Sequence, residues 1–99
     1  MAEGLTIEEL RGRIDVIDDQ LVRLLNVRVA CAVEVGRLKQ AQGLPVYQPD
    51  REKQVLGLVQ ERATTLAGPL NADAVVRIFE RVMDESRRAE RRAADGDET

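Results

Sequence analysis

Histidine and tryptophan are absent from this 99-residue chain, which holds one cysteine, one tyrosine and one phenylalanine. Each shortage removes a class of chemistry. Without histidine there is no Ser–His or Cys–His nucleophilic couple and no imidazole metal ligand. A single cysteine builds neither an internal disulfide framework nor a thiolate metal cage. Two aromatic side chains are too few for a base-stacking platform on single-stranded nucleic acid. No apolar run approaches the roughly 18 residues of a membrane span, and the first residues carry no secretory-signal pattern, so the expected location is the cytoplasm. What remains for chemistry is arginine, lysine, carboxylates and hydroxyls. Lys and Arg total 15 against 18 Asp and Glu, a net charge of −3. The length suits one domain.

Few glycines, only three prolines and many Leu, Ala, Arg and Glu residues favour helices. Thr6-Ile7-Glu8-Glu9 has the form of a capping box. Behind it Leu10, Ile14, Ile17, Leu21, Leu24, Cys31, Val35 and Leu38 recur at alternating steps of four and three, interrupted at Arg28. This 3.5-residue stripe predicts one long helix from about Thr6 to Gln42, with Gly43 just past its end. Leu44 to Pro49 is a connector, since prolines disfavour helix there. A second helix is expected behind Asp50 as cap, with Val55, Leu56, Val59, Ala63 and Leu66 inward, ending at Ala67-Gly68-Pro69. Asn71 caps a third, whose stripe runs Val75, Ile78, Phe79, Val82, Met83, Ser86, Ala89 and Glu90. No segment has strand periodicity. The expected class is all-α, with one long and two shorter helices in a domain over residues 1–94 and a disordered acidic tail at 95–99.

The first helix would measure roughly 55 Å at 1.5 Å per residue. A compact chain of this length has a radius of gyration near 13 Å. The helix overhangs any such globule, and the two shorter helices barely cover its stripe. Two copies pairing through the long helix solve this, because a lone hairpin would leave the stripe wet.

Several polar residues stand where the apolar pattern calls for hydrophobic ones. Arg28 sits in the stripe, where an unpaired charge is costly. Lys39 lies eleven residues on, on the same face and about 16 Å along the axis, which leaves room for a small anion between them. Arg11 is about 42 Å from Lys39 along one helix, so it can share a small site with Lys39 only from a second copy. Arg51 and Glu52 open the second helix, and Ser86 and Glu90 continue the third stripe. Together these residues suit a small dicarboxylate. Arg87-Arg88-Ala89-Glu90-Arg91-Arg92 reads as a solvated helix end rather than a nucleic-acid patch, given Glu90 and the acidic balance. Cys31 reads as a small core residue, and Tyr47 as a neighbour of the site.

The stretch LRGRIDVIDDQLVRLLNVRVACAVEVGRLKQAQGLPVYQPDRE, together with IFERVMDESRRAE, resembles the all-α chorismate mutase family over roughly residues 5–92. The resemblance implies an intertwined helical homodimer that rearranges chorismate to prephenate on the route to phenylalanine and tyrosine. It assigns Arg11 to the partner copy's site, Arg28 and Ser86 to a substrate carboxylate, and Arg51 to support of the carboxylates. Lys39 falls to the ether oxygen of the breaking bond and a carboxylate, and Glu52 to the ring hydroxyl. Gln48 stands where an aspartate often orients that hydroxyl, and Glu90 where a glutamine often donates to the ether oxygen. Catalysis would then rest on Lys39, Glu90 and Arg28, with Arg11, Gln48, Arg51, Glu52 and Ser86 binding substrate.

Such a reaction is pericyclic, so neither metal nor cofactor is expected, and the missing histidine is no handicap. The protein must fold the substrate and stabilise charge on its ether oxygen. A neutral Glu90 would donate a hydrogen bond there. Burial raises its pKa and Lys39 lowers it, and the sequence leaves the sum open. Two other readings stay open: the same fold acting on a relative of the substrate, as isochorismate-pyruvate lyase or aminodeoxychorismate mutase, and a non-catalytic helical dimerisation module. No motif marks docking on another pathway enzyme.

Overall fold

The computed structural model describes residues 4–96. Its elements are α1 (Ile7–Ala41), α2 (Pro49–Leu66) and α3 (Ala72–Ala94). Local hydrogen bonding sets most of their ends. Thr6 caps α1, its Oγ1 accepting from the Glu9 N–H at 3.1 Å. At the other end the Leu44 N–H reaches Lys39 O at 2.8 Å and the Gly43 N–H reaches Gln40 O at 3.2 Å. That pairing is a Schellman motif, and Gly43 supplies the positive φ (70°) it requires. Asn71 caps α3, accepting from the Ala74 N–H at 2.8 Å.

The start of α2 corrects the sequence expectation. Asp50 is not the cap. The helix begins two residues earlier than that cap implies, at Pro49, and Gln48 occupies the cap position with no side-chain cap bond. Proline is pre-set for the first helical position because its φ is helical and it has no N–H to satisfy. The Gln48 carbonyl accepts from the N–H groups of Arg51 and Glu52 instead. At its far end α2 stops on Ala67, which takes the left-handed conformation at φ 50°. Of the expected tail, Asp95 forms the C-cap of α3 and Gly96 follows with φ 77°. Residues 97–99 of that tail lie outside the described residues.

Helix α3 packs against both α1 and α2, and among the described residues those two do not approach each other closely. The chain spans 58 × 32 × 15 Å with a radius of gyration of 17.3 Å. A helix with its side chains is about 10–12 Å across, so the three lie in a layer barely one helix thick. Globular cores form between two layers, and here there is no second layer. Accordingly, among the described residues only Met83 and Ser86 are buried, at 7% and 5% exposure. From Ile7 to Val27 every residue of α1 is exposed. Cys31 is exposed rather than a core residue. Leu66, expected on the inner face of α2, is 72% exposed at the last turn of that helix. No helix among the described residues is long and apolar enough to cross a membrane.

Candidate active site

A cavity of about 650 Å³ opens where the second half of α1, the connector, the start of α2 and the last turns of α3 converge. Helix α1 contributes Arg28, Cys31, Val35 and Lys39 to its lining. Val46, Tyr47 and Gln48 come from the connector, and Arg51, Glu52 and Val55 from α2. Helix α3 adds Met83, Ser86, Arg87, Glu90 and Arg91. The cavity thus gathers seven of the eight residues singled out from sequence. Arg11 is the exception. It lies exposed near the start of α1, about 42 Å from Lys39 by helical rise.

Several of these side chains are held by specific contacts. The Arg28 Nη1 donates to Ser86 Oγ at 3.3 Å, and that hydroxyl donates in turn to the Val82 carbonyl at 2.9 Å. The buried serine is therefore satisfied, and the half-buried arginine is anchored without a carboxylate of its own. The Arg28 guanidinium also lies 5.9 Å from the Phe79 ring centre, an attractive cation–π distance. The Lys39 Nζ donates to the Val46 carbonyl at 3.2 Å, tying α1 to the connector. Arg51 donates from Nη1 to Gln54 Oε1 at 2.6 Å.

The opposite wall holds a residue that sequence reasoning missed. Arg87 donates to Glu52 from one arm of its guanidinium and to Asp84 from the other. Its guanidinium also sits 6.0 Å from the Tyr47 ring centre. The hydrogen bond to Glu52 lifts the Arg87 pKa further above an already high value, with burial opposing and Asp84 assisting. Arg87 and Arg91 both line the cavity, so the basic run on α3 is not wholly a solvated helix end. A signal was present: Arg87 lies four residues after Met83 and three before Glu90, on the inward face.

Glu90 faces Gly36 of α1. A methyl group on Gly36 would stand 3.6 Å from the Glu90 Cγ and Cδ, so this glycine lets the carboxyl lie directly against the helix. Burial there raises the Glu90 pKa above the ordinary 4.5. Lys39, Arg87 and Arg91 pull it down and Glu52 adds to the rise, but desolvation is the larger effect. The sum left open by the sequence thus falls on the raised side.

Chemically, the cavity offers several cations, a carboxylate acceptor in Glu52, a carboxyl biased toward its neutral form and no nucleophile–base couple. It is equipped to bind an anion, bend it and stabilise charge, rather than to attack it.

Comparison with known proteins points the same way. Residues 10–91 match the family described as chorismate mutase type II. A bifunctional chorismate mutase/prephenate dehydratase of Neisseria gonorrhoeae is 41% identical over 90 residues, covering 87% of this chain and 24% of that protein. A T-protein of Enterobacter agglomerans is 39% identical over 77 residues, covering 78% of this chain and 20% of its own length. The chain spans only about a fifth to a quarter of these relatives. A chorismate mutase structure from Thermus thermophilus superposes with a TM-score of 0.76 at 30% identity, covering 81% of this chain and 96% of that one.

Proposed function

The chain belongs to the type II chorismate mutase family, and from that premise we propose that it rearranges chorismate to prephenate, working as a homodimer in the cytoplasm. The observation that carries this reading is the convergence of Arg28, Lys39, Gln48, Glu52, Ser86 and Glu90 on one cavity.

In the proposed mechanism Arg28, supported by Ser86, grips one substrate carboxylate, and Arg51 strengthens the field around both. Arginine suits this task because its planar fork binds carboxylates bidentately. Glu52, with the Gln48 amide oxygen beside it, accepts from the ring hydroxyl. These contacts fold the flexible enolpyruvyl arm over the ring, which is the orientation part of the barrier. As the C–O bond breaks, negative charge grows on the ether oxygen. Lys39 stabilises it directly, and a neutral Glu90 donates a hydrogen bond from the other side. No proton transfer, covalent intermediate or added group is required.

Arg11 of a second copy completes each site. Two features support the homodimer: α1 overhangs the rest of the chain, and Leu10, Ile14, Ile17, Leu21 and Leu24 are 44–65% exposed along one face. A layer one helix thick gains a core when a second layer covers it.

The test is an absorbance assay of chorismate loss, combined with a native mass measurement. Turnover by a species of twice the chain mass is expected. A folded dimer with no turnover would favour the dimerisation module instead. The Gln48 side chain at the ring-hydroxyl end of the cavity makes the substrate worth checking, by comparing rates on chorismate, isochorismate and aminodeoxychorismate. Chorismate is expected to be fastest.

A further inference from the structure

We propose that Arg87 is a positioning residue that locks Glu52 and Tyr47 into one rigid wall of the cavity. The inference rests on the mutase reading for its kinetic consequences, though not for its geometry.

Three contacts define the guanidinium of Arg87. One arm holds Glu52 of α2, the other holds Asp84 one turn back on α3, and Tyr47 of the connector lies 6.0 Å from it. A planar five-donor fork with both arms and a face engaged has little freedom left. Arg87 thus joins the three segments that form this side of the cavity. Its bond engages the Oε2 oxygen of Glu52, leaving Oε1 for a hydroxyl. A glutamate at the start of a helix otherwise samples many rotamers, and freezing one in advance spares the substrate that ordering cost. Without Arg87 nothing else among the described residues pins Glu52. Asp84 gives Arg87 an anchor on its own helix, so the fork stays extended toward α2.

The effect falls on binding rather than on the chemical step, because a ring hydroxyl is held equally in the ground and transition states. Arg87→Met, which keeps the length and loses the fork, is expected to raise KM about tenfold, the scale of one hydrogen bond to a charged group. The kcat is expected to change less than about threefold. Arg87→Lys is expected to recover most of the loss. In a Glu52→Gln background the same Arg87→Met change is expected to add almost nothing, since the two act as one unit.

A second readout does not depend on turnover. Tyr47 is the sole tyrosine and the chain has no tryptophan, so tyrosine emission reports on this wall alone. Its anisotropy is expected to fall in Arg87→Met and recover in Arg87→Lys. An Arg87→Met effect that persists undiminished in the Glu52→Gln background overturns the proposal, as does unchanged Tyr47 anisotropy. If the wild-type protein fails to turn over chorismate, the mutase reading falls while the anisotropy still decides the role of Arg87.

Discussion

The two ends of α1 invert the usual sorting of residues. From Ile7 to Val27 the helix carries a regular apolar stripe, and every residue of it is exposed. From Arg28 to Lys39 the same stripe is broken by charge, yet here α1 packs on α3 and Arg28 and Lys39 are partly covered. Hydrophobic residues stand in water while cations are sheltered. The contrast teaches that the halves answer to different occupants. On the proposed reading, the apolar half is the face for another copy of the chain and the charged half the face for the substrate.

The sharpest way to break that comparison is to damage each half and let the halves complement. Lys39→Ala, in the charged half, is expected to lower kcat about 10³-fold, the scale of losing one group that stabilises developing oxyanion charge. Arg11→Ala, at the far end, is expected to cost about 10²-fold through a lost carboxylate contact. After subunit exchange, an equal mixture of the two variants is expected to regain about a quarter of wild-type activity. Half the dimers are then hybrid, and each hybrid has one intact site of two. No recovery after verified exchange would mean that the two ends do not share a site.

Next in size is a charge in the apolar half. Leu21 is 50% exposed in the single chain, so an aspartate there costs the lone chain little. Inside a dimer interface it would cost about 3 kcal/mol or more. Leu21→Asp is therefore expected to halve the native mass and abolish turnover together. A variant that stays dimeric would remove this face from the interface.

Facing the charged half, Glu90 of α3 sets a smaller, pH-dependent effect. Its pKa is raised by burial, so the neutral acid persists above the ordinary carboxylate value of 4.5 and is lost as pH rises through the raised value. Activity is expected to decline over that rise, and Glu90→Gln to flatten it. The stability sign is the same: a carboxyl with a raised folded pKa favours the fold at low pH and loses that contribution as it ionises. Rate and melting profiles of the glutamine variant against pH check both. The smallest change lies outside both halves. Ala67 ends α2 at φ 50°, a conformation costing a residue with a Cβ about 1 kcal/mol. Ala67→Gly is expected to raise the melting temperature by a few degrees without altering turnover.

What could be read from sequence divides along similar physical lines. Thr6, Gly43 and Asn71 were legible because a cap is settled by atoms within a few residues. Asp50 misled because Pro49 competes for the same turn and fits the first helical position better. The cavity residues Arg28, Lys39, Ser86 and Glu90 stood out as polar breaks in an apolar rhythm. Arg87 escaped notice because it belongs to a run of arginines, and its partners Glu52 and Tyr47 lie 35 and 40 residues away in sequence. Only the approach of α2 to α3 reveals them. Cys31 and Leu66 were misplaced for a related reason: the apolar stripe says which face seeks cover, not whether this chain alone provides it.

The 15 Å thickness of the protein carries one more consequence. A sheet of helices with almost no interior has little stability of its own, so in the proposed homodimer folding and association would obey a single mass-action law. The melting temperature would then climb with chain concentration, and dilution would both unfold the chain and silence the proposed activity. On that reading, cellular abundance becomes a dial on specific activity, built into the shape itself.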